Sequence, residues 1–143
     1  MQATNKRGKQ SFVLPNQPVI AGWASVVGKK ESEGPLRKYF DITCQDTRFG
    51  QKTWEQAEKQ MQKMAIERLL IKCGLEKEQI GTVYSGDLLN QCIGSSFSLN
   101  NTGIPHVGLY GACSTMAESM MMAAMTVDGG YCQQAVALTS SHF

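Results

Sequence analysis

The stretch Met116-Ala117-Glu118-Ser119-Met120-Met121-Met122-Ala123-Ala124-Met125-Thr126-Val127 is the strongest constraint in this sequence. It reads as a helix of roughly 15 residues from Ser114 to Asp128 with almost no polar face. Such a helix either spans a membrane or is buried on every side. It is too short to span, since a bilayer needs about 20 consecutive apolar residues. It must therefore lie between two layers. A methionine stripe of this kind is core packing before it is a binding surface.

The elements around it alternate. Val19 to Val27 (VIAGWASVV) reads as a buried strand between Pro18 and Gly28, and Gly28 to Gly50 as a polar connection broken at Gly34-Pro35. Thr53 to Cys73 is the clearest helix. Thr53 and Gln56 fit a capping box, Trp54, Ala57, Met61, Met64 and Ala65 recur at helical spacing, and Gly74 supplies the left-handed stop. Glu55 and Lys59 form a favourable i,i+4 pair. Thr82 to Ser85 reads as a strand running into Gly86-Asp87. A weaker helix is expected from Leu88 to about Asn100, a strand at Val107 to Tyr110, and another at Ala135 to Thr139. This order predicts an α/β fold with a parallel-rich sheet. The last residue, Phe143, falls just beyond a strand, so the expectation is one half of a larger fold.

Charge and cysteine usage narrow the function classes. Residues 1–38 hold seven Lys/Arg against two acids, whereas residues 88–143 hold no Lys or Arg. Nucleic-acid binding requires a basic face with several phosphate contacts, and no such stripe follows the first quarter. The basic start reads as a solvated tail, residues 1–17, with an anion-binding patch as the alternative. Residues 18–143 form the folded unit. Cys44, Cys73, Cys92, Cys113 and Cys132 are odd in number and widely spaced, without a C-x-x-C. A polar run follows Met1, with no apolar segment of the secretory type, so free thiols in a reducing compartment are expected. A metal site is not expected, because His106 and His142 stand apart from any cysteine pair.

Three positions could carry chemistry. Cys113 falls where a strand turns into a helix, and a thiol there meets unpaired N–H groups and the positive end of the helix dipole. The alternative is a small buried hydrophobe. Asp87 follows a strand end and either points into a cleft at the carboxyl edge of the sheet or caps the next segment. His142 also follows a strand end, and is otherwise a terminal residue without a role.

The stretch from Gly103 to Ser141 resembles the thiolase and ketoacyl-synthase superfamily: Gly103-Ile104-Pro105, a strand, Cys113-Ser114 opening a helix of small residues, Gly129-Gly130, and a strand of the AVALT type. In thiolases that cysteine accepts the acyl group. Here Thr115 stands where thiolases usually carry Gly, and the last strand runs into Thr139-Ser140-Ser141-His142. With Gly86-Asp87-Leu88-Leu89-Asn90-Gln91, Glu118-Ser119, Asp128-Gly129-Gly130, and upstream Gly34-Pro35-Leu36, Phe40-Asp41, Trp54-Glu55 and Ala57-Glu58, these departures resemble the stage V sporulation protein AD family.

The resemblance implies the first half of a thiolase-like fold, a buried helix after the Cys loop, and a homodimer. It implies binding of dipicolinic acid (pyridine-2,6-dicarboxylate) for uptake into the developing spore, without enzymatic turnover. The implied partners are membrane proteins of the same sporulation operon, and the implied location is the cytoplasm at the forespore membrane. On this view Asp87, Cys113, Ser114 and His142 contact the ligand. No cofactor is implied beyond a Ca²⁺ chelated by the dianion. The rival expectation is a Cys-dependent acyltransferase of the condensing-enzyme type that uses Cys113 as nucleophile.

Overall fold

The structure, a computed structural model, describes residues 5–89 and 91–141. Its elements run β1 (Lys6–Arg7), β2 (Ser11–Phe12), β3 (Val26–Val27), α1 (Lys29–Glu33), β4 (Ile42–Thr43), α2 (Trp54–Cys73), β5 (Thr82–Asp87), α3 (Ile93–Leu99), β6 (His106–Gly108), α4 (Thr115–Asp128) and β7 (Ala135–Ser140). The central sheet has the order β6-β5-β7, with both pairings parallel. This is the expected α/β architecture, consistent with the first half of a thiolase-like fold.

β5 sits in the middle, and its residues alternate between two faces. Val83 joins Val136 and Leu138 of β7 with Ile66 of α2 and Leu99 of α3 in the main core. Tyr84 points the other way, and its hydroxyl meets Thr126 Oγ1 of α4 at 2.6 Å. Helices α2 and α3 thus cover one face and α4 the other.

α2 forms where its local signals place it. Thr53 Oγ1 accepts the Gln56 N–H at 3.3 Å, and Gly74 closes the helix at φ +63°. α3 is shorter than expected. Gln91 and Cys92 take φ +50° and +74°, so the helix begins only at Ile93. α4 begins at Thr115, after a 3₁₀ turn at Ala112–Ser114.

Two expectations need correction. The run from Val19 to Val27 is not a buried strand. Only Val26 and Val27 pair, in parallel with Ile42 and Thr43, while Val19 is 84% exposed and Trp23 70%. Apolarity alone does not make a strand. A ladder partner is needed too, and the strand paired with this run is two residues long. The connection from Gly28 to Gly50 is more structured than expected, with α1, a 3₁₀ turn at Arg37–Tyr39 and β4. α4 follows the Cys loop as expected, with one face buried on the sheet and the other left bare within this chain. Thr115, Ser119 and Ala123 face the sheet at i,i+4 spacing, while Met116, Met120, Met121 and Met125 remain 40 to 44% exposed.

Residues 6–12, within the expected basic tail, form an antiparallel hairpin. Just beyond it, Asn16 donates twice to Asp128, through its N–H to Oδ1 and its Nδ2 to the carbonyl, each at 2.7 Å. Among the described residues no helix is long and apolar enough to cross a membrane.

Among the described residues, Lys72 and, at 3.8 Å, Arg68 Nε of α2 pair with Asp41 just before β4. Asp41 accepts Lys72 Nζ at 2.8 Å and the Ser25 N–H at 3.0 Å. The Lys72 hydrogen bond, helped by Ser25, holds the Asp41 carboxyl below its ordinary value. A lowered folded-state pKa stabilises the protein above the ordinary value of 3.8 and loses that contribution as pH falls through the lower folded value. Lys72→Met should therefore lower the melting temperature at pH 7, by the few degrees typical of a partly exposed pair. The gap from wild type should close as melts are repeated down to about pH 2. A pH-independent gap would trace the effect to the lost stacking of Lys72 on Trp23, 5.2 Å from the ring centre.

Candidate site at the carboxyl edge of the sheet

β5 and β7 end side by side, with Asp87 paired to Ser140. Both residues point towards α2 and α3. Asp87 is 2% exposed, and its Oδ2 accepts the backbone N–H and the hydroxyl of Ser95, each at 2.9 Å. Ser95 is the third residue of α3, so the carboxylate sits where the free N–H groups and the positive end of that helix favour it.

The contacts continue into α2. Gln62 Nε2 donates to Ser95 Oγ at 3.0 Å and to Ser140 Oγ at 2.7 Å, and Gln62 Oε1 accepts the Ser98 hydroxyl at 2.8 Å. Ser140 Oγ donates in turn to Glu58 Oε1 at 2.7 Å. Glu58 and Gln62 are each 1% exposed. Sequence reading names Ala57-Glu58 only among the motifs of the resemblance and gives neither residue a role. The available signal was their position one turn apart in line with Trp54 and Ile66, inside the apolar arc of α2.

Cys113 and Ser114 lie on the other side of β5, in the turn that opens α4. Cys113 is exposed. Ser114 Oγ donates to the Gly111 carbonyl at 2.7 Å, and Thr115 Oγ1 accepts the Gly111 N–H at 3.1 Å. Both hydroxyls therefore fold the loop back on itself. Ala112 takes φ +48°, a left-handed conformation that costs a non-glycine residue strain. The loop rests on β5 at Gly86, where a Cβ would run into the Leu109 carbonyl and the Thr115 methyl. Asp87 and Cys113 thus share one edge of the sheet, with the β5 backbone between them. His142 lies outside the described residues.

A second thiol enters here that sequence reading missed. Cys92 precedes α3, and its Sγ donates to the Leu109 carbonyl at 2.8 Å, tying the start of α3 to the loop of Cys113. Burial, followed by the charge of Asp87, pushes the Cys92 thiol up. Cys113 is thus not alone beside a helix start, but it is the exposed one of the two. Alkylation followed by peptide mapping should find Cys113 modified fastest of the five cysteines and Cys92 among the slowest. Asp87→Asn should speed Cys92. Equal rates at Cys113 and Cys73 would show that the turn confers no special reactivity.

His106, which stands apart from any cysteine pair in the sequence, is not expected to bind a metal. It sits on β6 with Nε2 at 2.8 Å from Ser85 Oγ, and burial lowers its pKa, which keeps the ring neutral at pH 7. Clefts among the described residues lie elsewhere. One of 330 Å³ is lined by Arg37, Lys38, Phe40 and Asp41, and one of 490 Å³ lies between the N-terminal hairpin and the end of α4. Among the described residues no group of three or more His, Cys, Asp or Glu could hold a metal ion.

Residues 8–143 match the family described as Stage V sporulation protein AD. The chain is 38% identical over 135 residues to the Stage V sporulation protein AD of Bacillus subtilis (strain 168), an alignment covering 94% of this chain and 40% of that relative. The chain thus spans well under half the length of the curated relative it matches. With a match over nearly its whole length, the chain belongs to the Stage V sporulation protein AD family.

Proposed function

We propose that this chain contributes one wall of a binding site for dipicolinic acid, and that the protein serves its uptake into the developing spore without catalytic turnover. Family membership supports this reading. So does the arrangement at Cys113, an exposed thiol opening a buried-faced helix at the carboxyl edge of a parallel sheet, where α/β folds place their ligands. Acyl transfer would need a base within reach of the thiol and donors for an oxyanion. Here the Ser114 hydroxyl gives its proton to the Gly111 carbonyl, and Thr115, buried against the sheet, accepts the Gly111 N–H.

Dipicolinate is a planar dianion and requires a cation. Residues 88–143 supply none, so the cation comes from the basic first quarter, from polypeptide outside this chain, or from a Ca²⁺ held by the ligand. Membrane proteins of the same operon are the partners in this reading, and the forespore membrane is its place. A Cys113 acyltransferase is the second reading, favoured by the exposure of that thiol.

Calorimetry of the longest natural form of the protein with dipicolinate, with and without Ca²⁺, tests the first reading. Binding weakened by Cys113→Ala in a folded variant supports it, and no heat under either condition overturns it. Incubation with an acyl-CoA followed by intact mass tests the second, which needs a stable adduct on Cys113.

A further inference from the structure

Gln62 sends its two amide N–H groups to two serines on different elements, Ser95 of α3 and Ser140 of β7. Each hydroxyl passes its own proton to a buried carboxylate, Ser95 to Asp87 and Ser140 to Glu58. The amide oxygen is taken by Ser98. The two serine contacts favour this orientation of the amide. With the amide turned over, its oxygen would face two hydroxyl oxygens whose protons are already given to Asp87 and Glu58, whereas Ser98, whose single proton is shared between Gln62 Oε1 and the Ser95 carbonyl, accommodates either orientation. A buried polar cluster that is satisfied fixes the positions of its members.

We propose that Gln62 is a positioning residue for the ligand site at the carboxyl edge of the sheet. It locks the adjoining ends of β5 and β7 to α3, and so sets where Asp87 and Ser140 stand. It touches no ligand, and acts through the two serines. This rests on the binding reading only for the identity of the ligand, because the locking of the strand ends is a property of the chain.

Two measurements on one set of variants separate the two claims. The variants are Gln62→Leu, Ser140→Ala and Ser140→Thr, each first shown to melt cooperatively. In calorimetry with dipicolinate, Gln62→Leu and Ser140→Ala should bind at least tenfold more weakly than wild type. Ser140→Thr, which keeps the hydroxyl, should return to within about threefold. In amide hydrogen exchange, Gln62→Leu should speed exchange in the peptides covering residues 86–95 and 136–141 while α4 and the last turns of α2 keep wild-type rates. Wild-type affinity in folded Gln62→Leu and Ser140→Ala, or unchanged exchange at both strand ends, overturns the positioning role. Absent dipicolinate binding by wild type together with local exchange changes overturns the ligand and leaves the positioning role standing. If Gln62→Leu fails to fold, the Ser140 pair decides: equal affinity and equal exchange in the Ala and Thr forms overturns it.

Discussion

In sedimentation equilibrium at micromolar concentration, the 143-residue chain should run as a dimer or larger species rather than as a monodisperse monomer. The reason is α4. Its sheet-facing side is made of small residues, Thr115, Ser119 and Ala123, which let the helix lie close to β5 and β7. That choice places the bulk of the helix on the opposite side. Met116 and Met120 stand one turn apart, as do Met121 and Met125, and the two rows flank Ala117 and Ala124, so the exposed side of the helix is one apolar face. Covering each methionine returns roughly 1 kcal/mol at about 25 cal/mol per Å², and a contiguous face of this kind promotes association. A second copy can cover it through a twofold axis along α4, the commonest symmetry of soluble oligomers. Met120→Glu with Met121→Glu should weaken self-association at least tenfold and reduce binding of a hydrophobic dye, leaving the buried side of the helix untouched. A wild-type monomer with a sharp cooperative melt would mean that α4 needs no second layer.

The elements that were legible in the sequence carry their signals locally. Thr53, Gln56 and Gly74 mark both ends of α2 by hydrogen bonds and a backbone angle that involve only their neighbours. β5 and β7 are short runs bounded by turn residues, and both appear within a residue or two of their expected limits. What depended on distant partners was not legible. The run Val19 to Val27 is apolar enough for a core strand, yet its state is set by what pairs with it, and only Val26 and Val27 find β4. The buried polar cluster is the clearer case. Glu58 and Gln62 fall inside the apolar arc of α2, but their partners Ser95 and Ser140, 33 and 78 residues from Gln62, come beside them only in the fold. Asp87 was weighed as a cleft residue or as a cap. The structure gives it a capping contact with α3, made by a residue outside the helix and eight residues before Ser95. The exposed Cys113 turn opening α4 was legible because a strand, a Gly-containing loop and a helix follow one another directly in the chain.

Gly86→Ala should cost more stability than any other single methyl added to the sheet, on the order of 3 kcal/mol or more, and should leave the chain partly unfolded at room temperature. Gly86 is the next-to-last residue of β5, and its missing side chain faces the loop between β6 and α4. A Cβ there meets the Leu109 carbonyl oxygen, and Thr115 Cγ2 lies 2.6 Å away. Neither neighbour is the free end of a flexible side chain. The Leu109 oxygen is backbone, and it also accepts the Cys92 thiol at 2.8 Å. Thr115 is pinned by its own bond to the Gly111 N–H at 3.1 Å. To admit the methyl, the whole loop must lift from β5, taking the Cys113 turn and the first turn of α4 with it. Gly28 is the matched control. It has extended backbone at φ −84°, and no atom lies within 4 Å of the Cβ it would carry. Gly28→Ala should therefore shift stability by no more than about 0.5 kcal/mol. Urea unfolding followed by circular dichroism reads both. Where Gly86→Ala still folds in part, alkylation should become faster at Cys92, because lifting Leu109 removes the acceptor of its thiol. If Gly86→Ala melts within about 0.5 kcal/mol of wild type and Cys92 stays slow, the loop does not rest on β5 and the carboxyl-edge site is not assembled as described.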